Sequence, residues 1–69
     1  MTKRDLIRDM QTKTGTSFPN ITQLAKYMGM SRDRVRGELV DGLDYIGSGK
    51  AKQYFVADVA ERILQQRSM

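Results

Sequence analysis

The chain has 69 residues, near the lower limit at which one hydrophobic core holds a fold without staples, so a single domain is expected. It contains no cysteine and no histidine, which excludes disulfides, Cys/His zinc sites and every mechanism that relies on an imidazole base. The 12 Lys and Arg against 8 Asp and Glu give +4, and the whole excess lies in residues 1–40, which hold eight basic and four acidic side chains against four of each in 41–69.

Thr2 followed by Asp5 forms a capping arrangement, and Leu6, Ile7 and Met10 recur at helical spacing, predicting a first helix over about 3–13. Lys3, Arg4 and Arg8 could form a second phosphate patch or a solvated face, and since Arg4 and Arg8 share one side of the helix, as do Asp5 and Asp9, a solvated face is expected. Gly15, Thr16, Ser17, Pro19 and Asn20 form a turn-rich break, with Phe18 expected as an apolar anchor packed beneath it. Thr22 is expected to cap a second helix with Leu24, Ala25 and Met28 inward, ending at Gly29. Ser31 caps a third, with Val35 and Leu39 inward and Arg32, Asp33, Arg36 and Gly37 outward, stopped by Asp41-Gly42.

Leu43-Asp44-Tyr45-Ile46 and Gln53-Tyr54-Phe55-Val56 are two β-prone runs around a Gly-rich turn, predicting a hairpin. Tyr45, Tyr54 and Phe55 alternate in it. They could stack on single strands, but core packing is expected in so small a domain. Asp58 opens a last helix with Val59, Ala60 and Ile63 buried and Glu61, Arg62, Gln65, Gln66 and Arg67 in water. No signal peptide, membrane span, repeat or low-complexity tract is visible, so a cytoplasmic protein is expected.

Ala25, Gly29 and Val35 carry the most specific spacing. A helix-turn-helix needs a small residue where its helices touch, a residue tolerating positive φ in the turn, and a branched apolar residue beneath the second helix. The run Ile21-Thr22-Gln23-Leu24-Ala25-Lys26-Tyr27-Met28-Gly29-Met30-Ser31-Arg32-Asp33-Arg34-Val35 resembles the opening of the MerR-like and excisionase-like winged helix-turn-helix domains. Gly42-Leu43 and Asp58-Val59 extend the similarity over about residues 21–66, with the first helix outside it. Glu38 stands where the family has an apolar residue, and Gly37 where glycine is rare. The glycine costs about 1 kcal/mol of helix stability relative to Ala.

The resemblance implies a mainly α fold with a small β-hairpin, in the order α-α-α-β-β-α. It divides the domain into an N-terminal helix and turn (1–20), a helix-turn-helix (21–42), a wing (43–56) and a C-terminal helix (57–66). It implies sequence-specific binding of double-stranded DNA, with Ser31, Arg32, Asp33, Arg36 and Gly37 facing bases in the major groove. There Arg donates twice to guanine and Asp accepts from cytosine. Arg34 then lies toward the phosphates, joined by Thr22, Lys26 and Tyr27 on helix 2. Tyr27 could equally be half-buried against helix 1. In the wing, Lys50 and Lys52 either reach phosphates or the minor groove, or simply solubilise a Gly-rich turn.

The function expected from this resemblance is an excisionase, a directionality factor of a bacterial or phage mobile element, acting with an integrase or with neighbouring copies of itself on DNA. Regulators of the MerR type follow the wing with a long dimerisation helix, and here the chain stops about ten residues into its last helix, which favours the excision factor. A small transcriptional regulator is the alternative, and a protein-interaction adaptor a third. No enzymatic activity, metal, cofactor or small-molecule ligand is expected.

Overall fold

The computed structural model describes residues 2–67, without the side chains of Lys50 and Arg67. Helix α1 spans Lys3–Thr14 and begins with the reciprocal cap written into its first residues. The Thr2 hydroxyl accepts from the Asp5 N–H at 3.2 Å, and the Asp5 carboxylate accepts from the Thr2 N–H at 3.3 Å. These bonds also hold the Asp5 carboxyl below the usual carboxylate range, the backbone bond foremost. Leu6 and Met10, one turn apart, are buried.

Helix α2 spans Ile21–Met28, and its cap differs from expectation. Asn20, not Thr22, takes the N-cap position, accepting from the Gln23 N–H at 2.8 Å while the Gln23 side chain accepts from the Asn20 N–H at 2.9 Å. An Asn-x-x-Gln box satisfies two orphan donors at once, which a lone Thr one turn later cannot do. Leu24 and Ala25 are buried, and the helix ends at Gly29, whose φ of 69° lies in the left-handed region that favours glycine.

Ser31 caps helix α3, Arg32–Arg34, which continues without a break into a π-helical turn over Val35–Leu39. The Val40 N–H donates to the Val35 carbonyl at 3.0 Å, five residues back. That extra residue per turn changes the phase of the helix. Val35, Leu39 and Val40 all enter the core while Glu38 stays outside.

The expected hairpin and wing do not form: among the described residues there is no β-strand and no sheet, only isolated bridges. Ile46 and Gln53 exchange both backbone bonds, at 2.9 and 2.8 Å, as one antiparallel rung. Beyond it, the N–H groups of Tyr54 and Val56 donate to the carbonyls of Pro19 and Ser17, at 2.9 and 3.0 Å. The second β-prone run is therefore shared with the loop before α2, and neither partner extends into a ladder. Residues Gly49–Ala51 close the intervening loop as a 3-10 turn. Gly47, at φ 85°, is required there, since a Cβ would stand 2.6 Å from the Ala51 carbonyl oxygen.

Helix α4 spans Val56–Arg67, so it starts two residues before the Asp58 expected to open it. Val56, Val59, Ala60 and Ile63 are buried, and α1 packs along this helix, with Lys3 Nζ 3.6 Å from a Glu61 carboxylate oxygen. Tyr54 joins the core, whereas Phe18, Tyr45 and Phe55, all expected inside, are exposed. Twelve residues fill the interior, from α1, α2, the π-helical turn with Val40, and α4, and from the 43–55 segment only Tyr54 joins them. Among the described residues no helix is long and apolar enough to cross a membrane.

Candidate nucleic-acid interface

The turn between α2 and α3 sets the site. Gly29 reverses the chain, its N–H donating to the Ala25 carbonyl, and Ser31 then caps α3 by accepting from the Arg34 N–H at 3.2 Å. Ala25 and Val35 are buried between the two helices, as their spacing predicts, so the opposite side of α3 must face outward. Ser31, Arg32, Asp33, Arg34, Arg36 and Gly37 are all exposed.

Arg32 and Arg36, one helical turn apart, line the same open cleft as Ile21, Thr22 and Gly49. Arg36 also borders a second cleft, shared with Gly49, Lys52 and Tyr45, whose lining includes Asp41. The two clefts adjoin through Ile21, Arg36 and Gly49. The structure thus brings together Thr22 at the start of α2, Arg32 on α3, Arg36 in the π-helical turn that continues it and Lys52 on the loop, as one cationic face.

Two of the arginines are held by acids on their own helix. Arg36 Nη1 lies 2.7 Å from the Asp33 carboxylate, and Arg34 Nε lies 2.9 Å from the Glu38 carboxylate. Both pairs are solvent-exposed, so each contributes little to stability but fixes the direction of a long side chain. Glu38 is anchored a second time, because its carbonyl accepts a hydrogen bond from the Gln66 side chain of α4. Gly37 has no atom within 4 Å of where a Cβ would stand, so neither α1 nor the core requires a glycine there.

Two of the remaining expected contacts, Lys26 and Tyr27, lie elsewhere. Lys26 is exposed but shares a hollow with Lys13, Thr14, Gln23 and Tyr27, on the side of α2 that meets α1. Tyr27, expected as a phosphate ligand or half-buried against α1, takes the second place: its hydroxyl donates to Asp9 Oδ2 at 2.5 Å. Burial, the hydrogen bond to Asp9 and the Asp9 charge together push the Tyr27 hydroxyl up to about 12. Lys52 places its ammonium 4.4 Å from the centre of the Tyr45 ring. The side chain of Lys50 lies outside the described residues.

Sequence reasoning does not reach three features of this region. Asp9 is 18 positions from Tyr27, and nothing local marks them as partners. The π-helical turn has no sequence signature beyond the paired apolar residues Leu39-Val40. The stacking of Phe18 on Phe55, with ring centres 5.3 Å apart, joins two segments through the loop pairing that replaces the hairpin. Among the described residues no three Asp or Glu converge into a group that could hold a metal ion. Compared with protein-family models, with the curated proteins and with the solved structures, the chain has no match.

Proposed function

We propose that this chain binds double-stranded DNA through the exposed side of α3, with Arg32 and Arg36 reading base edges and Thr22 and Lys52 meeting the backbone. The observation that carries this reading is the cleft lined by Ile21, Thr22, Arg32, Arg36 and Gly49. Its lining carries two guanidinium groups and no carboxylate, with Asp33 beside it paired to Arg36, on a helical segment that follows the α2–α3 turn. A guanidinium pair one turn apart on an exposed helix suits acceptors that repeat along a groove, and bidentate donation to guanine O6 and N7 gives sequence preference. Asp33 supports the same reading, because its bond to Arg36 sets the guanidinium direction before any duplex arrives.

The test is fluorescence anisotropy with a random-sequence duplex and with duplexes enriched by selection. Binding whose log K falls steeply with log salt is expected, and Arg36→Ala costs about 1–3 kcal/mol on the selected duplex while changing the random one less. Equal losses on both would remove Arg36 as a base reader. Salt-independent or undetectable binding would end the proposal. The narrower activity implied by the resemblance, excision beside an integrase, with a small transcriptional regulator as the alternative, is decided with the DNA that flanks the chain's own coding sequence. Stimulation of integrase-dependent excision supports the first and promoter repression the second.

A further inference from the structure

Four large apolar side chains are exposed among the described residues: Phe18 at 39%, Phe55 at 44%, Tyr45 at 50% and Ile46 at 51%. All four line one hollow, completed by Asp44, Gln53 and Asp58. Scattered single apolar residues are ordinary on a surface, but their concentration in one place marks a contact site. The hollow is also built to keep its shape. Phe18 stacks on Phe55 at an interplanar angle of 29°, and Tyr45 is braced from the side by Tyr54, with ring centres 6.0 Å apart. The Ile46–Gln53 rung and the bonds from Tyr54 and Val56 to Pro19 and Ser17 fix the backbone on both sides.

Charge decides what fits. In a chain of net charge +4, the charged residues lining this hollow are two carboxylates, Asp44 and Asp58. Among the described residues, Lys52 lies nearby with its ammonium engaged on the Tyr45 ring, and Arg62 borders an adjoining hollow that it shares with Asp58 and Glu61. A phosphate backbone is repelled from such a rim, and none of Thr22, Arg32, Arg36 and Gly49 lines it. We infer that the hollow is a docking site for a polypeptide partner that offers an aliphatic or aromatic anchor flanked by lysine or arginine. Aromatic walls desolvate the anchor, and the two carboxylates at the rim select the flanking cation. This inference does not rest on DNA binding, since of the residues lining the hollow only Tyr45 also borders the cationic clefts, and the charge at the rim is opposite.

The test is selection of a random peptide display library on the immobilised full chain, followed by binding of the retained peptides to variants. Peptides that combine an apolar anchor with Lys or Arg are expected. They should bind about tenfold more weakly to Ile46→Ser and to the double variant Asp44→Asn, Asp58→Asn, and shift the amide resonances of residues 18, 44–46 and 53–58. Tyr45→Ser replaces Ile46→Ser should circular dichroism show that the latter is unfolded. The inference is overturned if no retained peptide depends on these residues, or if the retained peptides are acidic or uncharged. It is equally overturned if sedimentation shows a dimer abolished by Ile46→Ser, making a second copy the occupant, or if oligothymidine shifts the same resonances, making it a base-stacking surface.

Discussion

Replacing Tyr27 by Phe removes one hydroxyl and tests how α1 is held on α2. That hydroxyl donates to the Asp9 carboxylate, which also lies 3.8 Å from Lys13 one turn further along α1. A hydrogen bond to a charged acceptor contributes about 1.5–3 kcal/mol. The hydroxyl is pushed from 10.0 to about 12, equal to about 2.7 kcal/mol at about 1.36 kcal/mol per pH unit, but burial is the largest cause, so the bond to Asp9 accounts for only part of it. Solvent reaches both partners, so screening reduces the expected loss in Tyr27→Phe to about 1 kcal/mol, or a Tm lower by about 4–8 °C in a domain this small. The pH dependence has a definite sign. The folded protein favours the neutral phenol, so the contribution is complete below pH 10 and is lost as pH rises toward about 12. Urea unfolding of wild type and variant should show the same difference at pH 7 and 9 and about half of it at pH 11. Duplex binding at pH 7 should be unchanged. An unaltered stability with weakened DNA binding would refute the structural role and return Tyr27 to the phosphate side.

Three further substitutions bear on the site and its loop. Asp33→Ala should release Arg36 and remove a negative charge from the DNA-facing side, so random-duplex affinity rises, the salt slope steepens by about 1, and the preference for selected duplexes falls. Anisotropy across a salt series measures all three, and an unchanged preference would show that the pair has no part in recognition. Gly37→Ala meets open space and should raise the urea midpoint by up to about 1 kcal/mol of stability, while weakening duplex binding where the new methyl stands between helix and groove. Gly47→Ala should destabilise by about 1–2 kcal/mol or more, because it needs φ 85° and meets the Ala51 carbonyl, and hydrogen exchange at Ile46 and Gln53 should accelerate.

How much of this fold is legible in the chain depends on the distance over which each interaction acts. Thr2 with Asp5, Gly29, Ser31 and the Ala25 to Val35 spacing are settled within four to ten residues, by caps, a positive φ and helical periodicity, and they place the helices of the candidate site. Asn20 with Gln23 is equally local, and its reciprocal bonds take precedence over Thr22. The cationic face follows from the same local rules, since burying Val35 forces Arg32 and Arg36 outward.

Other features depend on tertiary competition. The run Gln53-Tyr54-Phe55-Val56 has a strand's composition, yet its backbone donors are divided between Ile46, Pro19 and Ser17, so no ladder grows and the wing is absent among the described residues. The same division leaves Phe18, Tyr45 and Phe55 on the surface, while Tyr54 from the same stretch joins the core. The π-helical turn, the bond between Asp9 and Tyr27 and the direction of Lys26 belong to this second kind. By itself the sequence determined the helices and the outward face of α3, through short-range caps and periodicity. Only the tertiary structure decided which segments shared their hydrogen bonds and which aromatic residues were left on the surface, because those outcomes rest on contacts between residues distant in the chain.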